Sequence, residues 1–219
     1  MTSLRCLTCL LLAFQVACGT ENGDGSTEQG DMNDTLTDAS IVEFDGGSEE
    51  SDGTVVTEAP EKLPPSTACD VIEGNWPAQW SEYEQTVVDL VNERRAVSQD
   101  CGSEGQFAPV PPVSANIQLA CAARRHSLDM AQRGYFSHVD PDGVAPDTRI
   151  LATGYQPRAM GENIAAGAAT PLMVVNGWME SDGHCRNIMD ATFTELGVGY
   201  IVDETTQYRR YWTQAFGAR

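Results

Sequence analysis

Of the 219 residues, 32 are Asp or Glu and 13 are Lys or Arg, giving a formal net charge of −19 at pH 7. With no basic cluster to relieve it, that balance argues against a nucleic-acid partner, whose phosphate backbone the chain would repel. The acid is unevenly spread: from Gly19 to Asp70 fourteen Asp and Glu face one Lys, whereas from Val71 to Arg219 eighteen face eleven Arg. About 150 residues in the second region suffice for a single domain that buries roughly two thirds of its unfolded surface.

The chain starts with Arg5, an apolar run from Leu7 to Phe14, and Val16-Ala17-Cys18, the three parts of an export signal. The run is too short to span a bilayer as a helix. Cys18-Gly19 resembles the lipobox of bacterial lipoproteins, which predicts lipidation of Cys18, although Gln15 stands where that motif prefers Leu. Ordinary cleavage near Ala17 needs only small residues and stays open as the alternative. Residues 1–18 are therefore read as a signal, and the product as exported, either an outer-envelope lipoprotein or a secreted protein. Any membrane attachment would be through the N-terminal lipid alone.

From Gly19 to about Pro65 the chain is rich in Gly, Ser, Thr, Asp and Glu without a sustained period of 2 or 3.6, so residues 19–75 read as an acidic disordered tether. The domain is expected over 76–219. Ser81 and Glu84 suggest a capping box, with Tyr83, Val87, Leu90, Val91 and Arg94 continuing a helix to about Val97. A second helix is expected from Ser114 to about Gln132, with a wide apolar arc from Ile117 to Ala131. Thr170-Pro171 supplies a cap and a first-turn proline for a third, through Trp178. Two strands, Leu196 to Val202 and Tyr208 to Phe216, are joined by the polar turn Asp203 to Gln207. Helices around a small, largely antiparallel sheet make the fold class α+β.

Of the seven cysteines, Cys6, Cys9 and Cys18 lie in or at the end of the signal. Cys69, Cys101, Cys121 and Cys185 remain, an even number that predicts two disulfides in an oxidising compartment, in one of three pairings. These four form no CxxC pair, which argues against a cysteine zinc site.

The three histidines each require a reason. His138 ends Gly134-Tyr135-Phe136-Ser137-His138; Glu162 lies in Met160-Gly161-Glu162-Asn163-Ile164-Ala165; His184 lies in Ser181-Asp182-Gly183-His184-Cys185-Arg186-Asn187; and Glu195 opens Glu195-Leu196-Gly197-Val198-Gly199. His126, at the edge of the apolar arc, reads as packed or capping rather than as a ligand. Asp140, Asp142 and Asp147 lack the spacing of a calcium loop and read as a turn on Pro141 and Gly143. Neither a Gly-x-Ser-x-Gly elbow nor an HExxH is present, and no activated nucleophile is visible.

In this order these motifs, with Leu90-Val91-Asn92-Glu93-Arg94-Arg95 and His126-Ser127-Leu128-Asp129-Met130, resemble the CAP superfamily (cysteine-rich secretory protein, antigen five, pathogenesis-related one) in its bacterial SCP-domain branch. The likeness covers roughly Ser81 to Phe216. It implies a three-layer α-β-α sandwich whose cleft is lined by two His and, in the eukaryotic branch, two Glu. His138, Glu162 and His184 match three of the four. The fourth acid would fall at Ser181, and Glu195 is the candidate replacement. The resemblance also implies cysteines at the Cys101 and Cys185 positions, and so the pairings Cys101–Cys185 and Cys69–Cys121.

His138, His184 and Glu162 have the chemistry of a zinc site, of general acid/base catalysis, or of a hydrogen-bond network pinning loops across the cleft. The family's activities imply a non-enzymatic extracellular binding module, expected as a monomer, for a small apolar ligand (lipid or sterol) or a peptide. A metal-dependent hydrolase and a structural interaction protein are the alternatives.

Overall fold

The computed structural model describes Cys69, residues 76–219 and the backbone of residues 39–43. The elements in chain order are β1 (Ala39–Glu43), α1 (Ala78–Arg95), β2 (Gln99–Asp100), β3 (Gln106–Phe107), β4 (Ser114–Ala115), α2 (Ile117–Arg133), α3 (Pro146–Leu151), β5 (Ala159–Ala166), α4 (Pro171–Met179), α5 (Asp182–Met189), β6 (Glu195–Val202) and β7 (Arg210–Ala218). The signal segment and Cys18 lie outside the described residues.

A five-stranded sheet runs in the order β1-β5-β7-β6-β4, antiparallel except where β4 lies parallel to β6, and β2 and β3 form a separate short hairpin. Alternation along the strands divides the core into layers. Trp212, Phe216, Leu196, Val198 and Ala165 pack beneath α1, α4 and α5 with Val87, Val91, Val174, Trp178, Cys185 and Ile188. On the opposite face Met160 and Ala215 meet Leu119, Ala123 and Ile150 of α2 and α3, while Ile164, Ile201 and Tyr211 meet Met130 and Ala131. The three-layer α-β-α architecture is thus present.

Close approach of helix to sheet is set by two glycines. A Cβ on Gly197 would overlap the α2 backbone at Ala120, and one on Gly199 would overlap it at Ala123. Bare strand positions let α2, which carries His126, lie directly on β6. Loops are pinned by Arg95 (1% exposed), which donates to the carbonyls of Pro111, Ile188, Asp190 and Phe193 and so holds the end of α5 to α1. Two disulfides join Cys69 to Cys121 and Cys101 to Cys185, the pairing that the resemblance implied.

Several boundaries differ from the sequence reading. Helix α1 starts at Ala78, three residues before Ser81, so the capping box does not form. Glu84 turns inward instead and accepts from Trp76 Nε1 (2.8 Å), Arg124 Nη2 (2.5 Å) and Tyr200 N (3.1 Å). Helix α2 starts at Ile117 because the Asn116 side chain accepts from the amides of Gln118 and Leu119, a cap that releases Ser114–Ala115 to pair with β6. Thr170 caps α4 as expected, accepting from Met173 N.

Strand β5 and helices α3 and α5 were not assigned from the sequence. All eight positions of β5 are buried, so it shows no period-2 alternation. Within the segment read as a tether, residues 39–43 form β1 on the outer edge of β5.

Candidate functional site

His138 follows α2 across a short turn. Gly134, with φ 68°, ends the helix in the left-handed conformation and sends Tyr135 to His138 back across it. The next residues form the turn expected at Pro141 and Gly143: Asp140 Oδ1 accepts from the amides of Asp142 and Val144.

Glu162 stands at the middle of β5, 2% exposed, facing α2 and α3. Its Oε1 accepts from His138 Nδ1 at 2.7 Å and from Arg149 Nη2 at 2.9 Å, while its Oε2 accepts from the same Nη2 at 2.8 Å. Arg149 lies on α3 and also donates from Nη1 to Val144 O. Burial pushes the Glu162 carboxyl up, but the imidazoles of His126 and His138 and the Arg149 guanidinium outweigh it and hold the pKa below the usual carboxylate range. The group is an anion, and His138 presents Nδ1–H to it.

His126 completes this side. Its Nε2 is 3.8 Å from Glu162 Oε1, beyond hydrogen-bond reach, and donates instead to Ser137 O at 3.0 Å. Burial holds its pKa down to about 4 against the pull of Glu162, so it is neutral at ordinary pH. The packed histidine expected from the sequence is what the fold provides, and the bond to Ser137 fixes the residue next to His138.

His184 comes to β5 from the other face. It lies in the first turn of α5, fully buried, and its backbone carbonyl accepts from Asn163 Nδ2 at 3.3 Å. Asn187, one turn later, donates to Asn163 Oδ1 (2.9 Å) and Glu162 O (3.3 Å), and Asn163 also donates to Gln214 Oε1 (3.0 Å). The pair Glu162-Asn163 therefore joins the two faces: one side chain holds His138 and the other holds the helix of His184. The Cys101–Cys185 bridge anchors that helix beside His184.

Glu195 is engaged elsewhere. At the start of β6 it accepts from Asn116 Nδ2 (2.8 Å) and Tyr155 OH (2.5 Å) and pairs with Arg219 Nε (3.2 Å), in register with Gly217 of β7. Strand β7 separates β6 from β5, so Glu195 is no substitute for the fourth cleft acid. Ser181, at that acid's position, is the N-cap residue of α5.

Of the readings left open by the sequence, the contacts of Glu162 fit the hydrogen-bond network. Both oxygens of Glu162 are taken by Arg149 and His138, and among the described residues no three His, Cys, Asp or Glu are grouped to hold a metal ion. Glu162 orients a histidine here. A cavity of about 260 Å³ opens beside the cluster between α2 and α3, lined among others by His126, Asp129, Asp140, Thr148 and Arg149. A larger one of about 310 Å³ lies between α1 and α2 over β6, against Glu84 and Arg124 and away from His138 and His184.

Arg149 was not singled out from the sequence. It is one Arg in a six-residue helix, 13 positions before Glu162, and no local spacing marks the two as partners.

The model of the cysteine-rich secretory protein family, CAP, matches residues 88–216. The chain belongs to the CAP family. It is 36% identical over 140 residues to the uncharacterized protein YkwD of Bacillus subtilis (strain 168), a match covering 64% of this chain and 49% of YkwD. It is also 36% identical over 91 residues to the uncharacterized membrane protein YlbC of the same organism, covering 42% of this chain and 24% of YlbC. Among solved structures, an extracellular protein containing a SCP domain from Bacillus anthracis str. Ames aligns with a TM-score of 0.52 at 29% identity, over 64% of this chain and 41% of that one. The chain thus spans about half the length of YkwD and less of the other two. Among the described residues no helix is long and apolar enough to cross a membrane.

Proposed function

We propose that this CAP protein is an exported binding module of the bacterial envelope, whose cleft holds a ligand without turning it over. The observation that carries the proposal is the engagement of both oxygens of Glu162 by buried partners. To act as a general base or a metal ligand, this carboxylate would have to give up a buried ion pair with Arg149 and a 2.7 Å bond to His138. Breaking a buried pair costs about 3–5 kcal/mol, too much for a group that must change partners in each cycle. Export is supported by the signal-like start of the sequence and by a similar protein described as extracellular. Cys18 is proposed as the lipid-bearing residue of the anchored form; Cys18→Ser should move the protein from the detergent phase to the aqueous phase.

The deciding experiment isolates the exported protein, extracts it for mass spectrometry, and assays wild type and His138→Ala on ester and peptide substrates with and without added zinc. A co-purifying ligand, with no turnover that His138→Ala removes, is the expected result. Turnover lost in His138→Ala, or one equivalent of zinc bound by the wild type and lost in His138→Ala and His184→Ala, would sink the proposal in favour of a metal-dependent hydrolase.

A further inference from the structure

Strand β5 carries Glu162 and Asn163 and has two edges. One pairs with β7 along its whole length, Ala159 to Ala166. Among the described residues the other is covered from Ala159 to Asn163, by residues 39–43 in an antiparallel register that sets Ala39 opposite Asn163, Ser40 opposite Glu162 and Glu43 opposite Ala159. Strand β1 also packs against α5, the helix of His184, and falls within the same compact unit as the domain. A segment far from the domain in sequence therefore lies along the two elements that bear Glu162 and His184.

We propose that the cleft is a strand-addition site for an extended peptide, and that residues 39–43 occupy it as an intramolecular stand-in. This rests on the binding-module reading and names its ligand class. An uncovered sheet edge offers a row of backbone donors and acceptors, and an extended segment of any origin satisfies them. Residues 39–43 have a composition that suits a strand, since the β-branched pair Ile41-Val42, followed closely by Phe44, is set between Asp38 and Asp45. Only residues 44–68 separate the segment from Cys69, which is bonded to Cys121 of α2, so occupancy is intramolecular and a weak strand suffices to hold the edge. A peptide from outside binds by displacing β1 and taking its five-residue register beside His184.

Two measurements on the full chain test this. Hydrogen exchange on the wild type should show the β5 amides facing β1, between Ala159 and Asn163, protected to a degree comparable with those facing β7; fast exchange there rules out the occupied edge. In the second, a labelled synthetic peptide of residues 36–46 is titrated into wild type and into the double variant Ile41→Pro/Val42→Pro, which cannot donate a ladder bond from either position. The variant should bind the peptide at least tenfold more tightly than the wild type, with unchanged cooperative melting. Equal affinity, or no binding by the variant, overturns the proposal. Extraction of a native ligand is unaffected by either result, so this inference and the binding-module reading fail separately.

Discussion

Two buried glutamates, each paired with an arginine, behave in opposite ways: Glu84 of α1 caps the Tyr200 amide of β6, and Glu162 stands in the middle of β5. Glu84 is bonded to Arg124, Trp76 and the Tyr200 amide, yet burial wins and its pKa is raised. Glu162 is buried more deeply, yet the charges and donors around it win and its pKa is lowered. The difference lies in the partners. Each carboxylate has an arginine on both oxygens; Glu84 adds two neutral donors, Trp76 and the Tyr200 amide, whereas Glu162 adds the bond from His138 and the nearby imidazole of His126. Glu84 ties α1 to α2 and β6, while Glu162 is an anion at neutral pH that sets the orientation of His138.

The largest effect expected from this contrast is on stability. Glu162→Gln should cost about 3–5 kcal/mol in urea unfolding, because it leaves Arg149 buried without its counter-charge. Glu84→Gln should cost less, because burial already raises the pKa of its carboxyl and so offsets part of what its pairing with Arg124 contributes. Equal losses would break the comparison.

Next in size is the bridge beside His184. Replacing Cys101 and Cys185 by Ser should cost about 2–4 kcal/mol and expose the α5 amides to exchange, while those of α2 stay protected. Uniform loss of protection would mean that the bridge supports the whole fold instead of the cleft wall.

Acid sharpens the comparison further. The folded-state pKa of His126, about 4, lies below its unfolded value near 6.5, so the stability it protects is complete above about pH 6.5 and drains as pH falls towards 4. That shift amounts to roughly 3 kcal/mol at most. Glu162 has the same sign but acts lower, its contribution being lost only as pH falls below its unfolded value of about 4.3. His126→Phe should flatten the loss between pH 6.5 and 4 in a thermal-melt series and leave the loss at lower pH intact. An unchanged profile would show that His126 does not titrate on unfolding.

Much of the domain follows from local chemistry. Thr170-Pro171 starts α4 wherever that helix docks, and the apolar arc of α2 marks its buried face. The family resemblance, carried by short motifs in fixed order, brought His138, Glu162 and His184 into one expectation and supplied both disulfide pairings. Other features had no local signal. Strand β5 is buried on both faces, so it lacks alternation; Glu84 had the spacing of a capping box and was drawn inward by Arg124, 40 residues away.

By itself, then, the sequence determined the charge division, the family and the residue types at the cleft, because these depend on composition and on motifs a few residues long. Only the tertiary structure decided what the cleft residues do. Arg149 reaches Glu162 because α3 packs over β5, Glu195 is excluded because β7 lies between, and Ala39–Glu43 gains a place because β5 offers it an edge. Each is a relation between distant segments whose energy comes from burial and backbone satisfaction, and none is encoded in the spacing of either partner alone.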